Sequence, residues 1–211
     1  MLSREFLTER GFCCGHGCLM CPYEPKHTKD NTILKVINCF KEDNPLIQKT
    51  LKGVTVEEGE TIATKLFQIL NERGDGIGLA ANQVGIDAQV AVVNVKEPII
   101  LINPKIVRRE EETRYYEGCL SYPKKGCHTK RYKIVEVEVD NYESNLTFGA
   151  GDTEADLLES VCVQHEIDHL NGMRILDRVV DTTYRAEIKP GRNEPCHCGS
   201  DKKFKKCCIN K

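Results

Sequence analysis

An α+β fold is expected, with mixed or antiparallel strands packed around one central helix, and three observations lead to it. Only two segments of the 211-residue chain carry a clear helical period. A later segment alternates strictly between valine and glutamate, as a strand with one dry and one wet face does. Cysteines crowd the two ends, which marks off short Cys-rich metal-binding modules from a longer middle. So few helices argue against a doubly wound sheet, which needs one per crossover.

The elements follow in chain order. Residues 57–73 put Ile62, Leu66, Ile69 and Leu70 on one face, and Gly74 ends the helix. Strands fit residues 89–95, 99–102 and 133–140; in the last, Val135, Val137 and Val139 alternate with Glu136 and Glu138. The second helix spans 154–171. It opens on a capping-box pattern from Thr153 to Asp156 and stops at Asn171-Gly172. Three regions result: a Cys-rich module at 1–29, one domain at 30–183, and a polar, basic, Cys-rich tail at 184–211 reached through Lys189-Pro190-Gly191.

Composition narrows the function. Hydrophobic residues make up 40%, enough for a real core, and a formal net charge of −2 gives no broad attraction to DNA or to a membrane. The first residues are charged at Arg4, Glu5, Glu9 and Arg10, unlike a secretory signal, and no run approaches the roughly 18 apolar residues that span a bilayer. The chain therefore reads as cytoplasmic. Of its 12 cysteines, four lie at 13–21 and four at 196–208. In a reducing compartment such clusters point to metal sites rather than disulfides.

The second helix carries His165-Glu166-Ile167-Asp168-His169. Two histidines at i and i+4 lie one above the other, so both rings can reach one metal ion, and Glu166 beside them can handle the protons of a water molecule. Leu158, Val161 and Cys162 continue that face toward the core. Two core histidines that happen to lie four apart would show the same pattern. A hydrolytic centre also needs a third ligand. Cys119, within Glu117-Gly118-Cys119-Leu120-Ser121, offers one, although a buried free cysteine often only fills space. Gly76 and Gly78 either make a turn after the first helix or leave room for a close approach.

Three motifs in order resemble those of peptide deformylases: Gly76-Ile77-Gly78-Leu79-Ala80-Ala81-Asn82-Gln83, then Glu117 to Ser121, then Gln164-His165-Glu166-Ile167-Asp168-His169-Leu170. Asn44-Pro45-Leu46 is similar to the family's N-terminal strand region. The resemblance covers about residues 30–183. It implies hydrolysis of the formyl group from N-terminal formyl-methionine of nascent polypeptides. By the same resemblance Cys119, His165 and His169 hold the metal, and Glu166 is the general base and then the general acid. The Gln83 amide and the Leu120 N–H would receive the oxyanion. The usual family metal is Fe(II), with zinc, nickel or cobalt able to take its place. The strip Gly76, Ile77 and Gly78 would pair with extended substrate, and Ile77, Leu120, Val161 and Cys162 are candidates for the methionine pocket.

Lys124-Lys125-Gly126-Cys127-His128 departs from the family pattern and puts substrate contacts there in doubt; His128 reads as an exposed loop residue. Arg131 stands where the family often has an arginine able to pair with Glu117. A peptidase with the same histidine pair would not explain the glycine and cysteine motifs together. The alternative from another class is an inactive deformylase-like adaptor that binds a ribosome or chaperone through its zinc modules.

The tail, from Gly191 through Cys196-His197-Cys198 to Cys207-Cys208, closely resembles the SEC-C zinc motif. That resemblance implies a closed structural zinc site of Cys196, Cys198, Cys207 and Cys208, whose metal would supply the folding energy of so short a segment. Seven Lys/Arg against two Asp/Glu between residues 189 and 211 suit a protein partner or ribosomal RNA, or simply a solvated surface. At the other end, Cys13, Cys14, Cys18 and Cys21, with His16 as an alternate ligand, resemble a small bacterial Cys-rich domain. They would take a further zinc or an iron–sulfur cluster, unless they are unligated thiols.

Overall fold

The computed structural model describes residues 34–180 and 203–206. The cysteines of both terminal modules, Cys13, Cys14, Cys18, Cys21, Cys196, Cys198, Cys207 and Cys208, lie outside them. The chain divides between Lys35 and Val36 into two units, and the elements that follow belong to the second.

Helix α1 (Val56–Arg73) starts one residue earlier than its apolar spacing indicates, because Thr55 caps it. The Thr55 hydroxyl accepts from the Glu58 N–H, and the Glu58 carboxylate accepts from the Thr55 N–H at 3.1 Å. Gly74 ends the helix at φ 69°, a left-handed position that suits glycine. The buried face is Gly59, Ala63, Leu66, Ile69 and Leu70; Ile62 is only half-buried. Gly59 lies so close to Ile102 that an added Cβ would stand 2.6 Å from its side chain.

After α1 the chain forms a three-stranded antiparallel meander, β1 (Gly78–Ala80), β2 (Val90–Asn94) and β3 (Pro98–Ile102), in register at Leu79↔Val92↔Ile100. A single 3-10 turn, Ala81–Val84, separates β1 from β2's approach. A long hairpin follows, β4 (Lys105–Gly118) with β5 (Gly126–Glu138), and β6 (Leu146–Phe148) adds to the far side of β5. Every strand pair named here is antiparallel.

Helix α2 (Glu154–Leu170) is the centre of the fold. It packs on strands of both sheets and is buried without a break from Glu159 to Leu170. Its inner residues Val163, Ile167 and Leu170 join Ala91 and Val93 of β2 and Val135 and Val137 of β5 in one core. The α+β expectation therefore holds, with the histidine-bearing helix between antiparallel sheets.

Three expectations need correction. Asn44-Pro45-Leu46, similar by sequence to a strand region, instead leads into a turn at residues 45–48, and the nearest sheet-like pairing is a single bridge from Thr50 to Asn171. His128 is not on a loop: it sits in β5 opposite Tyr116, with the rings edge to face at 5.2 Å. β5 begins well before residue 133, because Gly126 to Tyr132 pair with β4.

The cap of α2 makes a testable contribution. Asp156 accepts from Thr153 N–H at 3.1 Å and from Lys96 Nζ at 2.8 Å; the lysine ammonium and the Thr153 hydroxyl hold its carboxyl down at about 2. A folded-state value below the unfolded one stabilises above the unfolded value, about 3.9, and is lost as pH falls toward 2. Thr153→Ala should cost about 1 kcal/mol in chemical denaturation. The stability gap between wild type and Asp156→Asn should close between about pH 4 and pH 2; a gap independent of pH would contradict this role.

Candidate metal centre

His165 and His169 occupy consecutive turns of α2, with ring centroids 4.9 Å apart. Cys119 leaves the end of β4 and enters the turn at 119–125, which brings its Sγ to 3.3 Å from His169 Nε2. One potential ligand atom from each of the three residues lies within 4.8 Å of the others. The set is one thiol and two imidazoles, suited to a borderline divalent transition metal. All three residues are buried, and His169 Nδ1 and Glu166 Oε2 are buried without a hydrogen-bond partner. An orphaned carboxylate oxygen on the helix that carries both histidines fits a centre built for an ion and its water.

Around the donors lies a buried ion-pair network. Glu117 Oε2 meets His165 Nδ1 at 2.7 Å, which leaves Nε2 as that ring's ligand atom. Arg131 grips the same carboxylate, Nε to Oε1 at 2.5 Å and Nη2 to Oε2 at 3.1 Å, and the Thr129 hydroxyl donates to Oε1. The remaining terminal nitrogen of Arg131 reaches Asp168 Oδ2 at 2.5 Å. Burial opposes the charge on Glu117, but the hydrogen bonds from His165 and Arg131 prevail and bring its carboxyl down to about 2. The expected support of Glu117 by Arg131 is thus present, and Asp168 extends it.

Glu166 lies on the same helix. Burial pushes its carboxyl up to about 7; His165 opposes the rise and Glu117 adds to it. For His165, burial disfavours the charged ring, yet hydrogen bonds that the ring donates to Cys119 and Glu117 raise it overall. Burial and the nearby His165 hold His169 well below the ordinary histidine range.

Gln83 stands in the 3-10 turn. Its Oε1 accepts from the Ala80 N–H at 2.9 Å, so its Nε2 faces Ser121 Oγ at 3.3 Å and Cys119 Sγ at 3.6 Å. The glycine strip serves close approach, since neither Gly76 nor Gly78 has a positive φ. A Cβ on Gly78 would overlap the Glu166 carboxylate and stand 2.7 Å from Cys162 Sγ; one on Gly76 would stand 2.7 Å from the Leu120 side chain. Cys162 Sγ lies 3.6 Å from the Ile77 carbonyl, to which it donates, and burial pushes the thiol up. Of the pocket candidates, Val161 and Cys162 are buried and Leu120 half-buried, while Ile77 is 40% exposed.

Sequence reading missed Asn82. Its side-chain amide donates to the His169 carbonyl at 2.6 Å and to the Leu46 carbonyl at 3.3 Å, tying the turn that carries Gln83 to the end of α2. Its position next to Gln83 was the available signal. In the departing segment, Gly126 pairs with Gly118 and Cys127 with Glu117, and the Tyr116 ring lies over Gly126.

Comparison with known proteins gives consistent family matches. The family model described as polypeptide deformylase matches residues 37–185, and the SEC-C motif model matches 192–210. A peptide deformylase of Buchnera aphidicola is 33% identical over 165 residues, covering 76% of this chain and 92% of the relative. One from Acinetobacter baumannii is 40% identical over 136 residues, 62% of this chain and 74% of the relative. The crystal structure of the Thermotoga maritima peptide deformylase superposes with a TM-score of 0.59 at 30% identity, over 70% of this chain and 98% of that one. The Synechococcus elongatus enzyme in complex with actinonin gives 0.61 at 32%, over 74% and 83%. Agreement of a whole-domain family match with relatives aligned over nearly their full length means that the chain belongs to the polypeptide deformylase family.

Proposed function

We propose that the chain hydrolyses the N-formyl group of N-terminal formyl-methionine on nascent polypeptides, releasing formate, and that Cys119, His165, His169, Glu166, Gln83 and Leu120 carry the reaction. The observation that carries this is the convergence of one thiol and two imidazoles beside a buried, unpartnered carboxylate oxygen of Glu166. Cys119, His165 and His169 would hold a divalent metal, Fe(II) in our reading, with zinc, nickel or cobalt as substitutes. Such an ion supplies Lewis acidity, which acidifies water and polarises a carbonyl.

The side chains divide the remaining work. Glu166 takes a proton from the attacking water and returns it to the departing amine, so water and formamide become formate and a free amine. Its raised carboxyl, at about 7 before a metal's positive charge acts on it, suits a group that must both accept and give a proton. The Gln83 amide nitrogen, held by the Ala80 N–H, and the Leu120 N–H receive charge on the formyl oxygen; one such donor is typically worth about 3 kcal/mol. Gly76, Ile77 and Gly78 present backbone to an extended substrate. Leu120, Val161 and Cys162, with Ile77 at the rim, form the methionine pocket in this reading.

We further propose that Cys196, Cys198, Cys207 and Cys208 form the SEC-C zinc site, that Cys13, Cys14, Cys18 and Cys21 take a further zinc, and that the tail touches the ribosome or a protein partner. No helix among the described residues is long and apolar enough to cross a membrane, and the reaction is assigned to the cytoplasm, where formylated chains emerge. The adaptor alternative is not favoured, since Glu166 and all three donor side chains are present.

Glu166→Gln should keep its metal and lose about 10²–10⁴-fold in kcat on a formyl-Met peptide. Activity within a few-fold of wild type would remove Glu166 from this role. Deleting residues 190–211 should leave turnover of short formyl-Met peptides nearly intact and weaken co-sedimentation with ribosomes, because a tether raises local concentration without altering chemistry. Equal sedimentation of full-length and truncated protein at several salt concentrations would take that role from the tail.

A further inference from the structure

The segment 178–180 is joined to the metal centre by a side chain that the proposed reaction does not use. Arg174 and Asp177 satisfy each other, Nη2 to Oδ1 at 2.8 Å and Nε to Oδ2 at 3.0 Å, across the 3-10 turn Ile175–Asp177. Arg178 instead forks onto Asp168, Nη2 to Oδ1 at 2.7 Å and Nε to Oδ2 at 3.1 Å. Its backbone is anchored independently. Lys130 N–H donates to the Arg178 carbonyl at 3.3 Å, Val180 N–H donates to the His128 carbonyl at 3.1 Å, and Val179 bridges to Thr129. Residues 178–180 therefore run as a short antiparallel addition to β5.

Charge balance gives the fork its meaning. Two carboxylates, Glu117 and Asp168, face two guanidiniums, Arg131 and Arg178. Arg131 spans both acids: two of its nitrogens hold Glu117 and one holds Asp168. Without Arg178, one guanidinium would serve two buried carboxylates, and Asp168 would draw Arg131 away from Glu117. Glu117 is the group that fixes the His165 ring through Nδ1. Asp168 also immediately precedes His169 on α2, so the fork bears on the backbone of the second histidine as well.

We infer that Arg178 is a positioning residue for the metal ligands: by holding Asp168 it leaves Arg131 free to clamp Glu117, and Glu117 free to orient His165. This rests on the reading that Cys119, His165 and His169 hold the metal. The side chain of Arg178 is 38% exposed, so its removal opens no cavity in the core.

The test uses the full chain loaded with Co(II) as the probe metal. Arg178→Gln and Arg178→Lys are compared with wild type, each alongside its Cys119→Ala counterpart so that the difference isolates this site. Readouts are chelator competition, the visible absorption spectrum of bound Co(II), and kcat and KM on a formyl-Met peptide. Arg178→Gln should lower Co(II) affinity about tenfold, the low end for groups supporting a ligand. It should also shift the spectrum and reduce kcat with KM nearly unchanged. Arg178→Lys keeps the charge but not the two-pronged geometry and should fall between. If Arg178→Gln does not fold, the lysine variant decides: reduced affinity supports the inference and wild-type affinity overturns it. Unchanged affinity and spectrum in folded Arg178→Gln would overturn the inference and leave the metal reading intact. A wild-type spectrum indifferent to Cys119→Ala would overturn the metal reading, and this inference with it.

Discussion

The buried guanidinium of Arg131 is the point on which the rest of the structure turns. It is 2% exposed, lies on β5, and binds carboxylates from two other elements, Glu117 of β4 and Asp168 of α2. Burying three charges is expensive, and the expense is offset only because each oxygen and nitrogen finds a partner. The network therefore has little freedom, and that is its use here. It fixes the hairpin end that delivers Cys119 against the helix that delivers His165 and His169. Removing either acid would leave Arg131 partly unpaired in a dry interior, so the donors' arrangement and the local stability depend on the same contacts.

Close packing of the glycine strip against α2 is the second constraint. Gly78 lets β1 run against Glu166 and Cys162, and Gly76 admits the Leu120 side chain. The backbone of the glycine strip thus reaches the Glu166 carboxylate directly, where the proposed reading places an extended substrate. Asn82 completes the frame by joining the Gln83 turn to the carbonyl of His169. In the reading proposed above, the oxyanion donor, the proton carrier and the metal donors are tied together by these contacts, which is what preorganised catalysis requires.

Much of this was legible in the sequence where a residue type carries its own geometry. The i, i+4 histidines, the Thr153–Asp156 cap and the Val135, Val137, Val139 alternation each specify a local conformation, and each is found as expected. β4 was not legible. It is an edge strand whose run from Arg108 to Arg114 is charged on both faces, so it has no apolar alternation to read. β1 and β6 have three residues each, too short to show a period. The roles of Asp168 and Asn82 depend on partners 37 and 87 positions away, Arg131 and His169, which local spacing cannot supply. The glycine strip is expected from the sequence to admit substrate backbone; that Glu166 and Leu120 also pack against it depends on residues far along the chain, which local spacing cannot supply.

The central claim is that Cys119, His165 and His169 hold a metal that this chain uses to hydrolyse a formyl group. Formate release from a formyl-Met peptide tests it most directly, with the full chain purified without oxygen, then stripped of metal, then given Fe(II) again. The account predicts rapid release, loss on stripping, recovery with Fe(II), and no recovery in Cys119→Ala. Full activity in the stripped protein, or no formate from the Fe(II)-loaded wild type, would contradict it.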